Sequence, residues 1–179
     1  MGKLSKGYIQ VYTGNGKGKT TAAVGLGVRA AGDGYSVFMV QFLKSGSTGE
    51  LESIKKLAPN FKIFRFEKKR GFFWNLNDSE KSELKTEIQD AYNFCVDTLK
   101  NNRCDILIMD EIMGALSNEL VSKDQLLSLI EYKPDNMELI LTGRNVPEEI
   151  ANKADLITEM KEIKHYFSKG VPAREGIEY

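Results

Sequence analysis

A chain of 179 residues in which 25 Lys+Arg balance 25 Asp+Glu has no formal net charge, which argues against a general nucleic-acid binder, whose footprint is a strongly basic domain. Its 41% hydrophobic and 28% charged residues are ordinary for a globular protein, and the length suggests one domain, residues 1–179, with a real core. No apolar run approaches the ~18 residues that span a bilayer, and MGKLSKGYIQVYTG lacks the apolar stretch of a signal peptide, so the expectation is a cytoplasmic protein without a membrane partner.

In chain order the pattern repeats strand then helix. Tyr8–Thr13 reads as the first strand, and an Ala-rich helix begins at Lys19 and ends where Gly32 or Gly34 can take the left-handed conformation. Ser36–Phe42 is the second strand, followed by a short helix over Gly49–Leu57 that stops before Pro59, and then by a third strand, Phe61–Phe66. The longest helix spans Ser79–Asn101 behind Asp78 as N-cap, with Leu84, Ile88, Ala91, Cys95 and Leu99 forming one core stripe. Asp105–Asp110, Met137–Thr142 and Leu156–Glu159 complete six strands, and Ser122 with Gln125 forms a capping box opening DQLLSLIEY. Runs such as VFMVQF, ILIM and LILT suit strands covered on both faces, so the class is α/β with a mainly parallel sheet. Leu43–Thr48 and Lys68–Asn77 carry no clear pattern. Cys95 and Cys104 read as reduced, structural thiols, and with His165 the only histidine a zinc site of His and Cys ligands is disfavoured.

The most informative segment is TGNGKGKTT, Thr13 to Thr21, placed between an apolar strand and a helix. That is the context a phosphate-binding loop requires. Gly14, Gly16 and Gly18 let the backbone turn N–H groups inward, and the helix adds its positive N-terminal end. Lys19 would reach the terminal phosphates, and the Thr20 hydroxyl would coordinate Mg²⁺. The loop departs from GxxxxGK[ST] at its first position, where Thr13 replaces glycine. CDILIMDE, Cys104 to Glu111, supports the reading, because an apolar strand ending in two carboxylates is what presents a metal-binding acid opposite such a loop. Glu111 is the expected ligand, with Asp110 behind it.

Binding a nucleoside triphosphate does not name a reaction. The wording of VQFLK (Val40–Lys44), GFFW (Gly71–Trp74), MDEI (Met109–Ile112), LTGR (Leu141–Arg144) and the block Ala154–Tyr179, together with TGNGKGKTTAA, resembles the phosphate-loop type of ATP:corrinoid adenosyltransferase over about Gly7 to Tyr179. The resemblance implies a RecA-like P-loop NTPase fold with strand order 3-2-4-1-5-6, in a homodimer that transfers the 5′-deoxyadenosyl group of ATP to reduced cobalt and releases tripolyphosphate. It implies that Asn15, Gly16, Lys17, Gly18, Lys19, Thr20 and Thr21 hold the triphosphate and that Glu111 joins Thr20 around Mg²⁺. It also implies that ATP lies reversed relative to hydrolases of this fold, which suits the missing glycine at Thr13. Phe72 and Trp74 match the aromatic pair that lies against the corrin and displaces its lower ligand. Arg29 and Arg144 are further candidates for the triphosphate or, for Arg144, a dimer contact.

Three expectations complete the reading. The EKKR stretch before GFFW is a solvated charge cluster, and His165 is a structural hydrogen-bonder more readily than a substrate ligand. Only about six residues precede Gly7, where family members carry a helical arm, so another segment or the dimer partner is expected to close the cleft. An electron-donating reductase is an implied partner, and the alternatives to adenosyl transfer are an ordinary ATPase or small-molecule kinase, or a non-catalytic module binding ATP or corrinoid.

Overall fold

The computed structural model describes residues 4–71 and 73–178. Six parallel strands form one sheet: β1 (Ile9–Thr13), β2 (Val37–Gln41), β3 (Phe61–Phe64), β4 (Ile106–Asp110), β5 (Glu138–Thr142) and β6 (Leu156–Glu159). The helices are α1 (Lys19–Gly32), α2 (Gly49–Lys55), α3 (Asp78–Lys100), α4 (Ile112–Ser117), α5 (Lys123–Glu131) and α6 (Glu148–Ala151). The α/β class and the parallel sheet follow the sequence pattern.

Alternation along the strands builds two cores, one per face. Val11, Val40, Leu107, Met109 and Leu141 point towards the face covered by α3 and α5, whereas Tyr12, Met39, Ile106, Ile108 and Ile140 pack with Ala23, Ala31 and Ile54 of α1 and α2. All five residues of β2, β4 and β5 are buried, as expected of strands sandwiched between helices. The stripe on α3 is buried as predicted, and Phe38, Phe64 and Phe94 extend it as an aromatic cluster with centroids 4.5 to 6.3 Å apart. The α3 N-cap is Asn77, one residue earlier than expected. Its side chain accepts from the Glu80 N–H while Glu80 returns a bond to the Asn77 N–H, a reciprocal pair that Asp78 cannot make. The Ser122–Gln125 capping box forms as read.

The strand order corrects the expected 3-2-4-1-5-6. It is β3-β2-β4-β5-β1-β6, with β1 and β5 exchanged. Contacts on the two flanks of β1 give the reason: Glu138 of β5 accepts the Tyr8 N–H at 2.7 Å and Gln10 Nε2 at 2.6 Å on one side, and LITE of β6, exposed throughout, takes the other side as an edge. Asp155 fixes that edge by exchanging bonds with Ile9, its carboxylate accepting the Ile9 N–H and its own N–H donating to the Ile9 carbonyl. The phosphate loop and the acidic strand end are therefore one strand apart.

Candidate active site

β1 ends at Thr13, which is buried and paired with Glu159, so the residue that departs from the loop pattern is a strand residue. The chain then turns through Gly14, at φ 97°, and Gly18, at φ 117°, conformations that favour glycine, and enters α1 with no side-chain cap. The first helical bond joins Ala22 N–H to the Gly18 carbonyl, so the N–H groups of Lys19, Thr20 and Thr21 have no acceptor within the helix and form an anion-binding end. The loop rests on the chain after β6: a Cβ on Gly14 would lie 2.4 Å from the Met160 carbonyl oxygen. The Gly16 N–H donates to that same oxygen at 2.7 Å and so faces away from the cradle, which corrects the expectation that the loop glycines all turn N–H inward. Lys19 closes the loop from within, its Nζ donating to the carbonyls of Gly14 at 2.7 Å and Gly16 at 2.9 Å. Burial lowers its pKa below the ordinary lysine value, Arg144 adds to that, and Glu111 and Asp110 oppose it.

Opposite the loop, Asp110 at the end of β4 is 0% exposed, and both of its oxygens are occupied. Oδ1 accepts from Thr20 Oγ1 at 2.9 Å and Thr142 Oγ1 at 2.8 Å, and Oδ2 accepts from Lys44 Nζ at 2.8 Å and Gln41 Nε2 at 3.2 Å. Because the Thr20 hydroxyl donates to Asp110, its lone pairs are left for a cation on the cavity side, the role of an outer-shell carboxylate. Glu111 is held in the left-handed region at φ 62° as its N–H donates to Thr142 Oγ1 at 2.9 Å. Its carboxyl group lies over Gly114, where a Cβ would come within 2.8 Å of Oε1. Burial raises the Glu111 pKa, Asp110 adds to that, and Lys19, Lys44 and Arg144 counter it.

The segment after β2, unassigned from sequence, is built from below. Glu67 accepts the N–H groups of Leu43, at φ 56°, and Lys44, and burial raises its pKa. Arg65 donates to Gln41 Oε1 at 2.7 Å and Thr48 Oγ1 at 2.8 Å, clamping both ends of the loop. The EKKR stretch is thus not simply a solvated cluster. Glu67 and Arg70 are structural, Arg70 being tied to Glu87 at 3.0 Å and Glu83 at 3.1 Å, because the chain leaving β3 must pack against α3. In GFFW, Phe73 packs on the core while Trp74, in a 3-10 turn over Phe73–Asn75, is 73% exposed. Phe72 lies outside the described residues.

These parts surround one cavity of about 1240 Å³, lined by residues 15–21 of the loop together with Lys44, Trp74, Glu111, Arg144 and His165. Two predicted residues are placed differently. Arg29 is exposed in the last turn of α1, ten residues from Lys19 or roughly 15 Å along the axis, and does not line the cavity. Lys17 turns to the C-terminal segment, its Nζ bonding Glu178 at 2.9 Å and the Ile177 carbonyl at 3.1 Å. Glu178 also meets Tyr166 and Arg174, so the segment after β6 is latched beside the phosphate loop. His165 accepts the Phe167 N–H on Nδ1 at 3.0 Å, a structural bond as expected. Gln41, Lys44, Glu67 and Thr142 are the site residues that sequence reasoning did not assign, and the signal for Gln41 and Thr142 was their place at the carboxyl ends of strands.

A divalent ion fits this donor set. Thr20 and Glu111 offer hard oxygen ligands on the wall of the same cavity. That suits Mg²⁺, which takes one or two protein oxygens and completes its shell with phosphate and water. Among the described residues, no helix is long and apolar enough to cross a membrane. Cys95 and Cys104 are buried and unpaired, and burial pushes the Cys104 thiol up to about 12.

Comparison with known proteins agrees with the geometry. In its fold the chain is similar to the flagellar accessory protein FlaH of Methanocaldococcus jannaschii, with a TM-score of 0.55 at 16% identity over 87% of this chain and 72% of that one. In sequence it is similar to the corrinoid adenosyltransferases of Sinorhizobium sp (35% identity, 97% of this chain and 81% of that protein) and Escherichia coli K12 (30%, 97% and 86%). The corrinoid adenosyltransferase CobA of Salmonella typhimurium is 32% identical over the same shares, 97% and 86%. Residues 5–179 match the model of the ATP:corrinoid adenosyltransferase BtuR/CobO/CobP family. The family model covers residues 5–179 and relatives at 30–35% identity span 97% of the chain, so the chain belongs to the corrinoid adenosyltransferase family.

Proposed function

We propose that the chain transfers the 5′-deoxyadenosyl group of ATP to the Co(I) of a reduced corrinoid, giving adenosylcobalamin or adenosylcobyrinic acid diamide and tripolyphosphate. The supporting observation is the single cavity of about 1240 Å³ that the phosphate loop and Trp74 share, larger than the ~300–1,000 Å³ usual for one small ligand. In the reaction the cobalt electron pair forms the bond to C5′ while the C5′–O bond breaks and its electrons leave with the triphosphate. No proton moves, so no general base is needed, and the protein's part is to align C5′ and to neutralise the leaving group.

Each residue role is argued on that basis. The loop over Gly14–Thr21 cradles the triphosphate through the open N–H groups of Lys19, Thr20 and Thr21 and the Lys19 ammonium, with ATP reversed so that C5′ faces out of the loop, and Arg144 adds charge at its rim. Thr20 and Glu111 hold Mg²⁺ while Asp110 orients the Thr20 hydroxyl. Mg²⁺ supplies positive charge to the departing triphosphate. Trp74, with Phe72, lies against the corrin and removes its lower ligand, so that an electron-donating reductase can bring cobalt to Co(I). A homodimer in the cytoplasm is the expected setting, and two buried, unpaired thiols suit a reducing compartment. The test supplies ATP, Mg²⁺ and chemically reduced corrinoid and measures adenosylcorrinoid and tripolyphosphate in equal amounts. ADP and inorganic phosphate formed without corrinoid would instead identify an ATPase.

A further inference from the structure

Lys44 carries a charge that the proposed reaction leaves unused. Its Nζ is 2.8 Å from Asp110 Oδ2 and 3.4 Å from Thr20 Oγ1, so an ammonium already sits among the oxygens that would gather around a divalent ion. Asp110 is 0% exposed, and a buried carboxylate needs a cation partner. Lys44, 27% exposed and lining the same cavity as the phosphate loop, is that partner. Its backbone is fixed, through Glu67 to its own N–H and through the clamp of Arg65 on both sides, while its four-carbon stem remains free to turn within the cavity.

A divalent ion ligated by Thr20 and the present Lys44 ammonium would be like charges a few ångströms apart, beside a carboxylate that is fully buried. One must move. With the metal alone, a displaced Lys44 exchanges a buried carboxylate for solvent. When triphosphate enters with the metal, Lys44 gains a new anion beside the loop. Metal entry and triphosphate entry are then coupled, each strengthening the other by the same factor.

We propose that Lys44 is a resident cation of the metal position, pairing Asp110 until a divalent ion enters and passing to the triphosphate when the two arrive together. The inference deepens the nucleotide reading and rests on it.

The experiment measures Mn²⁺ binding by electron paramagnetic resonance on the intact chain, with and without tripolyphosphate, for wild type and Lys44→Met. In wild type, tripolyphosphate should tighten Mn²⁺ binding strongly. In Lys44→Met, Mn²⁺ alone should bind at least about tenfold more tightly than to wild type, and the tightening by tripolyphosphate should shrink by a similar factor. A thermal scan gives an independent readout. Lys44→Met should melt below wild type without metal and recover on adding Mg²⁺ alone, a rescue that a purely structural lysine would not show. Lys44→Gln, which keeps a donor towards Asp110 without the charge, should behave the same way and serves if the Met variant does not fold. Coupling unchanged by either substitution overturns the role of Lys44 and leaves the nucleotide site standing. Failure of wild type to bind Mn²⁺ with tripolyphosphate overturns the nucleotide reading, and the Lys44 proposal with it.

Discussion

Asp110 is the residue on which two strands, one helix and one loop converge, since its four donors come from α1 (Thr20), β2 (Gln41), β5 (Thr142) and the loop after β2 (Lys44). Asp110→Ala removes the acceptor of the Thr20 and Thr142 hydroxyls and leaves the Gln41 amide and the Lys44 ammonium only longer contacts, to Glu50 at 3.5 Å and Thr20 at 3.4 Å. Stability should fall by about 3 kcal/mol, read as a lower urea midpoint at unchanged slope. Thr98, by contrast, is fully buried in α3 with a hydroxyl that has no hydrogen-bond partner among the described residues. Thr98→Val keeps the shape and removes the orphan, so it should stabilise by about 1 kcal/mol and raise the melting temperature by about 2–4 °C. An unchanged or lower midpoint would show that the hydroxyl is satisfied in solution.

At the scale of elements, the C-terminal segment is a latch whose strength depends on one carboxylate. Arg174, Tyr166 and Lys17, in that order, hold the Glu178 carboxyl far below the ordinary value of 4.5. A depressed pKa contributes stability that is present above the unfolded value and lost as pH falls through the folded one. The latch should therefore stay closed through mildly acidic solution and open only well below 4.5. Glu178→Gln should open it at every pH, seen as faster hydrogen exchange at the Arg174 amide, which donates to Glu178 Oε2 at 2.8 Å. Protection equal to wild type would rule the latch out. The element scale also shows what a sequence reveals. Local patterns were legible: six strands, the long helix with its stripe, the Ser122 box and the loop from Gly14 to Thr21. The exchange of β1 and β5 was not, because strand order depends on pairing between segments more than a hundred residues apart. Glu67 escaped for the same reason, since its partners at Leu43 and Lys44 lie more than twenty residues away and give no spacing signal.

At the scale of the whole molecule, Trp74 is the chain's single tryptophan, so intrinsic tryptophan emission reports the proposed active site alone. At 73% exposure its emission should lie far to the red without ligands. A corrinoid seated over the 3-10 turn absorbs in that range and must quench it by energy transfer, whereas triphosphate in the loop at the other wall of the cavity is colourless and should leave most of the intensity. If the two substrates occupy separate walls, Lys19→Ala should abolish nucleotide binding, by calorimetry, while corrinoid quenching persists. Trp74→Ala should keep nucleotide binding and lose more of the reaction from cob(II) than from pre-formed cob(I), because only the former needs the lower ligand removed. Equal losses from both states would assign Trp74 to packing, and a Lys19 variant that no longer binds corrinoid would mean that the walls of the cavity do not act independently.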